Sequence, residues 1–155
     1  MSEALAKELH TVFVPEFARI YLHELGRPYM EQDLFTIARG QVDNEDILAE
    51  EANKFLICDT DLYVIKVWAE HKYGNCDKWI IDEISSRKYD LYLLTYIDTE
   101  WTDDPQREHP EPEMRTYFYK IYLDIMQNTG VPWVDIRGSH EDRVSAALQA
   151  IRALV

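Results

Sequence analysis

Short apolar runs that are typical of buried strands alternate along this chain with longer stretches of helical periodicity. Four runs of four residues are interpreted as strands, at 11–14, 55–58, 91–94 and 133–136. Most connections between them are too long for hairpins, which is typical of parallel strands joined by helices. The alternation predicts an α/β fold with three layers, in which helices cover both faces of a parallel sheet.

The predicted helices lie before, between and after these runs, and several begin or end at recognisable signals. They cover 4–9, 17–25, 34–48, 62–71, a stretch that begins near 79, 114–126 and 144–151. Gly26 and Gly130 are placed to end two of them. Ser139 and Asp142 have the spacing of a capping pair at the start of the last one.

Size and charge narrow the class of protein. The chain has 155 residues, which predicts a single domain over 1–155. Its 16 Lys and Arg against 29 Asp and Glu give a net charge of −13. Such a surface repels phosphate backbones, so nucleic acid is not the expected partner.

Neither a membrane span nor an export signal is evident. No apolar run approaches the roughly 18 residues that a membrane-spanning helix needs. The N-terminal segment lacks the basic start and apolar middle of a secretory signal. We therefore expect a cytoplasmic protein without a membrane partner, in which Cys58 and Cys76 are reduced thiols.

Ligands of parallel α/β folds bind outside the carboxyl ends of the strands, so the residues just after each run are the candidate site. Glu16 and Arg19 follow the first run, three residues apart on the first turn of a predicted helix. An acid and a base there can hydrogen-bond a ribose and hold a phosphate. The alternative is a surface ion pair.

Two carboxylates, Asp59 and Asp61, follow the second run. A carboxylate at the end of an apolar strand can order Mg²⁺ in a phosphotransfer site. The alternative is a helix cap, because Asp is a favoured N-cap residue. Asp61 fits the cap as well as the metal, so Asp59 is the preferred metal ligand.

The segment 98–113 differs in composition from the rest of the chain, with seven acidic residues, three prolines and one arginine, Arg107. A guanidinium on such a loop suits a lid that closes on phosphates, and the alternative is a solvated acidic loop. Gln41 lies on the apolar stripe of its helix. It is either a satisfied core amide or a group that faces the pocket.

Six motifs in order resemble the NadR-type ribosylnicotinamide kinase domains, a P-loop kinase family. They are V-P-E-F-A-R at 14–19, A-R-G-Q at 38–41, C-D-T-D at 58–61, Y-D-L-Y-L-L at 89–94, E-W-T-D-D at 100–104 with Arg107, and I-R-G-S at 136–139. The resemblance implies a five-stranded parallel sheet, ATP with Mg²⁺, and phosphoryl transfer to the ribose 5′-hydroxyl of nicotinamide riboside.

The same resemblance implies roles for individual residues. Glu16 and Arg19, with Gln41 and Trp101, would bind the substrate. Asp59, with Asp61, would hold the metal, and Asp59 and Arg107 would be catalytic. Arg107 would also contact the cofactor, together with Arg137, Gly138 and Ser139.

Two departures from the family leave alternatives open. The 155 residues contain no G-x-x-x-x-G-K-[ST] loop, whose amides and lysine cradle phosphates. Residues 1–10 resemble the helix after that loop, so we expect a strand and loop of about 20 residues upstream of Met1. The alternative is a non-catalytic nucleotide- or partner-binding module that has lost the loop. Pro15 stands where the kinases often carry an aromatic, so a NadR-like ATPase of another substrate is also open.

Overall fold

The computed structural model describes residues 1–100, 104–106 and 108–155. Within them the elements are, in chain order, α1 (Ser2–Glu8), β1 (Phe13–Val14), α2 (Phe17–Leu25), α3 (Glu31–Glu51), β2 (Ile57–Cys58), α4 (Leu62–Tyr73), α5 (Lys78–Ser86), β3 (Tyr92–Thr95), α6 (Pro112–Asn128), β4 (Trp133–Ile136) and α7 (His140–Arg152). They form two compact units, Ser2–Arg87, called the N-terminal unit, and Lys88–Val155 with Met1, called the C-terminal unit.

In the N-terminal unit, β1 and β2 pair in parallel, with Val14 opposite Cys58. Helix α1 contacts both strands, and α3 contacts β1. Helices α2 to α5 enclose the unit's main apolar cluster, formed by Ala18, Leu34, Ile37, Ala38, Val42, Leu62, Ile65, Ala69 and Ile80. Burial of these side chains holds the four helices together.

The connection between α2 and α3 is held by one buried carboxylate, Asp33. It accepts hydrogen bonds from Arg27 at 2.7 and 2.9 Å, from the Tyr21 hydroxyl at 2.7 Å and from the Met30 amide at 2.7 Å. The Arg27 guanidinium, followed by the Met30 amide and the Tyr21 hydroxyl, holds the pKa of Asp33 well below its usual range. This network fixes the start of α3 against the end of α2.

In the C-terminal unit, β3 and β4 pair in parallel over four positions, from Tyr92 opposite Trp133 to Thr95 opposite Ile136. Helix α6 packs on β3 and α7 on β4. The buried side chains include Met126, Ile136, Ala147 and Ile151. The carboxyl ends of both strands therefore lie at the same edge of this pair.

The α/β class with parallel strands is confirmed, and the last predicted strand has the observed bounds. Strands β1 and β2 are shorter than predicted, and each covers only the last two residues of its four-residue run. Helix α6 begins at Pro112, two residues inside the predicted loop 98–113, because proline is well suited to the first helical turn. The single-domain organisation stays a prediction.

The expected helix signals are present. Gly26 follows α2 with a φ of 66°, the left-handed conformation that glycine adopts at little cost. Ser139 and Asp142 form the predicted capping box of α7. None of the helices in the described part of the chain is long and apolar enough to cross a membrane.

Candidate functional site

The carboxyl ends of β1 and β2 lie side by side. The Asp59 amide, one residue past β2, donates a hydrogen bond of 2.8 Å to the Val14 carbonyl at the end of β1. The two predicted segments, 15–19 and 59–61, therefore leave neighbouring parallel strands at the same edge. This is the position at which α/β folds bind ligands.

Glu16 and Arg19 form the expected acid–base pair on the first turn of α2. Arg19 Nε lies 3.7 Å from Glu16 Oε2, and half of the Arg19 side chain is exposed. Glu16 is the N-cap residue of α2, but its side chain makes no capping hydrogen bond. The carboxylate is therefore not used to cap its own helix.

The carboxylates of the two aspartates after β2 make different contacts. Asp61 is the N-cap residue of α4, since its carboxylate accepts a hydrogen bond of 3.0 Å from the Tyr63 amide. Asp61 therefore caps α4, as one of the two interpretations expects, and its role as a metal ligand stays a prediction. No hydrogen bond joins the Asp59 carboxylate to any residue that the structure describes.

Thr60, between these aspartates, has a φ of 68°. A β-branched residue in the left-handed region costs of order 1–3 kcal/mol and persists only where the surrounding structure imposes it. Such strain clusters at functional sites. Thr60 thus separates Asp59 from Asp61, the residue that caps α4.

A metal site at this edge would depend on Asp59. Within residues 1–100, 104–106 and 108–155, no group of three or more His, Cys, Asp or Glu side chains could hold a metal ion by itself. Mg²⁺ in phosphotransfer sites is bound through one or two carboxylates together with substrate phosphates. Asp59 at the end of β2 fits that donor set.

Gln41 is a satisfied core amide. Its Oε1 accepts a hydrogen bond of 3.0 Å from the Phe17 amide, and its Nε2 donates one of 3.3 Å to Glu45 Oε1. The side chain is only 2% exposed. The core-amide alternative is therefore the one observed, and contact of Gln41 with a substrate stays a prediction.

The strand ends of the C-terminal unit are joined by Arg143, a residue that the sequence analysis did not single out. Its guanidinium donates to the Tyr96 carbonyl and to the Gly138 carbonyl, each at 2.9 Å, and to the Asp98 carboxylate. The Gly138 amide donates to Asp98 at 2.7 Å. This amide, together with Arg143, lowers the pKa of Asp98. Arg143 lies 45 residues from Asp98, and no local pattern reveals a partner at that distance.

The structure places the predicted cofactor residues 137–139 at this same edge of the C-terminal unit. Arg137 contacts Asp135 at 2.6 Å, and its guanidinium carbon lies 3.7 Å from the centre of the Tyr96 ring. Ser139 caps α7. Their role in cofactor binding stays a prediction, as do those of Trp101 and Arg107, which lie outside the described residues.

Both cysteines are free thiols. Cys58 is half-buried at the end of β2, where burial, followed by the charges of Glu45 and Asp61, raises its pKa to about 12. The thiol is therefore protonated at neutral pH and is a poor nucleophile or metal ligand. This leaves the chemistry of the strand edge to the carboxylates and the guanidinium group.

The comparisons with known proteins identify the family. A family described as an AAA domain matches residues 1–143, and the chain belongs to that family. Two curated relatives are each named trifunctional NAD biosynthesis/regulator protein NadR. The protein from Salmonella typhimurium is 22% identical over 144 residues, covering 89% of this chain, and the one from Escherichia coli is 24% identical over 153 residues, covering 95%.

A solved structure, described as NadR protein in complex with NR, matches 99% of this chain with a TM-score of 0.77 and 20% identity. This likeness shows that the chain has the α/β fold of NadR, as its sequence motifs imply. The chain spans 35–36% of the length of the two curated relatives and 46% of the solved chain.

Proposed function

We propose that this protein is an ATP-dependent kinase that phosphorylates the ribose 5′-hydroxyl of nicotinamide riboside and works in the cytoplasm. The observation that carries the proposal is the shared edge of β1 and β2 in a NadR-like fold. There an acid–base pair, Glu16 and Arg19, and a carboxylate, Asp59, follow neighbouring strands joined by the Asp59–Val14 hydrogen bond.

Each group at this edge has chemistry that suits the proposed reaction. The Glu16 carboxylate can accept hydrogen bonds from ribose hydroxyls, and Arg19 can bind a phosphate oxygen. Asp59 would hold Mg²⁺, which neutralises charge on transferring phosphates. We assign Arg137, Gly138 and Ser139 to the nucleotide cofactor, and Arg107 and Trp101 to a lid over 98–113.

A second function is favoured by one specific observation, since the 155 residues contain no Walker A loop. A protein of this fold without such a loop would be a binding module that recognises the nucleoside but transfers no phosphate. The third candidate function is that of a NadR-like ATPase that acts on another substrate.

The first experiment reads the coding DNA upstream of Met1 in frame. The kinase proposal expects a strand followed by G-x-x-x-x-G-K-[ST]. An in-frame stop codon directly upstream, with no such sequence, supports the binding module.

The second experiment incubates the protein, with any upstream segment so found, with Mg²⁺, ATP and nicotinamide riboside. Formation of nicotinamide mononucleotide and ADP in equal amounts is the expected result. Calorimetric binding of the nucleoside without product contradicts the kinase proposal and identifies a binding module. ADP formation that does not depend on the nucleoside identifies an ATPase of another kind.

A further inference from the structure

The motif A-R-G-Q at 38–41 contacts the first turn of α2 through two of its residues. Gly40 lies so close to Phe17 that a Cβ at position 40 would be 2.3 Å from the Phe17 ring. The absence of a side chain therefore lets that ring lie directly on the backbone of α3. Gln41, the next residue, accepts the hydrogen bond from the Phe17 amide.

The Phe17 amide is one of the donors at the start of α2 that no helical carbonyl can satisfy. In most helices the N-cap side chain supplies an acceptor to such donors, but the Glu16 side chain makes no capping bond here. Gln41 supplies the acceptor from 24 residues away. It caps α2 from a different helix, in place of the Glu16 side chain.

The orientation of the Gln41 amide is fixed by its second partner. An amide can accept only at Oε1 and donate only at Nε2, so the bond to Glu45 requires Nε2 to face that carboxylate. Glu45 is 2% exposed and needs a cation, which Arg87 provides at 3.2 Å. Arg87 also contacts Asp46 at 2.6 Å. We call this chain of contacts the α3 relay. It runs from Arg87 through Glu45 and Gln41 to the Phe17 amide.

We propose that Gln41 is a positioning residue that fixes Glu16 and Arg19 for substrate through the Phe17 amide. Both side chains lie on or beside the turn that this amide begins, so release of the amide lets the turn fray and changes their separation. Recognition of a ribose by an acid–base pair requires fixed geometry. The consequence for nucleoside binding rests on the proposed function, whereas the fixing of the turn does not.

The test compares two variants of the protein by two measurements. Gln41→Met removes both hydrogen bonds at similar volume. Gln41→Glu combined with Glu45→Gln retains an acceptor for the Phe17 amide and a donor–acceptor pair between the two positions. The measurements are hydrogen exchange of the Phe17 amide by NMR, and the Michaelis constants for nicotinamide riboside and for ATP.

For Gln41→Met we expect about tenfold faster exchange at Phe17 and about a tenfold higher Michaelis constant for nicotinamide riboside, the scale of one lost hydrogen bond. The Michaelis constant for ATP and kcat should change far less. The double variant should recover most of the Phe17 protection and most of the affinity for the nucleoside.

Ile80→Val is the matched control, because Ile80 lies in the apolar cluster against which Phe17 packs, and the change removes only one buried methyl group. It should lower the stability of the N-terminal unit without a selective effect at Phe17. If Gln41→Met behaves as this control does in both measurements, the residue is only a core amide and the inference is wrong.

The two proposals fail in different ways. If the parent protein neither binds nor phosphorylates nicotinamide riboside, the proposed function fails, and exchange at Phe17 still decides whether Gln41 fixes the turn. If Gln41→Met does not fold, Gln41→Glu alone replaces it. In that variant, repulsion by the Glu45 carboxylate should draw the new carboxylate at position 41 away from the Phe17 amide and speed its exchange. The double variant removes this repulsion and should restore Phe17 protection, and equal exchange in the parent and both variants overturns the inference.

Discussion

At the residue scale, the two aspartates after β2 differ in what their carboxylates contact. Asp61 caps α4 through the Tyr63 amide. Asp59 is held in place through its backbone, by the hydrogen bond of its amide to Val14, so its side chain is not needed for that bond. The backbone of Asp59 therefore contributes to the fold, and its carboxylate is left for the metal role proposed above.

A substitution at Asp59 should therefore affect turnover more than stability. We expect Asp59→Asn to lower kcat by about a hundredfold or more, the scale of losing one electrostatic contact to a transition state, with little change in the urea midpoint. Asp61→Asn is the matched control. It keeps an acceptor for the Tyr63 amide and should retain most of the stability. A loss of rate as large as that of Asp59→Asn would assign the metal to both carboxylates. An early melting Asp59→Asn variant with an unchanged rate per folded molecule would mean that Asp59 has only a structural role.

At the element scale, most of the architecture could be predicted from the sequence, since apolar periodicity and capping residues act locally. The four strand positions and the capping box at Ser139 are examples. The α3 relay and the contacts of Arg143 could not be predicted, because their decisive bonds join distant residues. Gln41 and Phe17 are 24 residues apart, and Arg143 lies 45 and 47 residues from Asp98 and Tyr96. The left-handed backbone conformation of Thr60 could not be predicted either, because threonine rarely adopts it.

The packing of α2 on α3 makes Gly40 intolerant of even one added methyl group. Alanine is a better helix former than glycine by roughly 1 kcal/mol, so a solvent-facing glycine in a helix gains from this change. At Gly40 the new Cβ would lie 2.3 Å from the Phe17 ring. We expect Gly40→Ala to destabilise the protein by about 1–3 kcal/mol in urea unfolding, the cost of overpacking.

The reason for that loss can be checked with a second substitution. Phe17→Leu alone should be destabilising because it removes buried apolar surface. In combination with Gly40→Ala it should cost less than the sum of the two single changes, since the shorter side chain leaves room for the new methyl group. Additive costs would show that the contact between these positions is not the cause.

The connection between α2 and α3 should make stability depend on acid pH. The pKa of Asp33 lies below its usual value, so the native state stays ionised where the unfolded state takes up a proton. Its contribution is therefore complete above about pH 4 and is lost as the pH falls further. We expect Asp33→Asn to have a shallower loss of stability between about pH 5 and pH 2 than the parent, measured by urea unfolding at each pH.

The matched control for that experiment is Asp43→Asn, at an exposed position of the same helix. It should retain the acid slope of the parent. In Asp33→Asn the stability should still fall somewhat with acid pH, because hydrogen bonds also lower the pKa of Asp98 and of Asp142. If both single variants keep the full slope, the network around Asp33 does not contribute to acid stability.

At the scale of the whole molecule, the dominant property is a net charge of −13. The two proposed substrates have opposite charge, because nicotinamide riboside carries a pyridinium cation and ATP is an anion. A negative surface attracts the first and repels the second over a distance set by the Debye length. That length falls from about 30 Å at 0.01 M salt to about 10 Å at 0.1 M.

Added salt should therefore change the two Michaelis constants in opposite directions. Between about 0.01 and 0.1 M KCl at fixed Mg²⁺, we expect the constant for nicotinamide riboside to rise and that for ATP to fall, each by about two- to fivefold. The rate constant at saturating substrates should stay the same, since screening acts on the approach of the substrates and not on the bound complex. An uncharged nucleoside that competes for the same site is the control, and its inhibition constant should not respond to salt. A common shift of both Michaelis constants in one direction would show that salt acts on the protein itself, and that the acidic surface does not select between the two substrates.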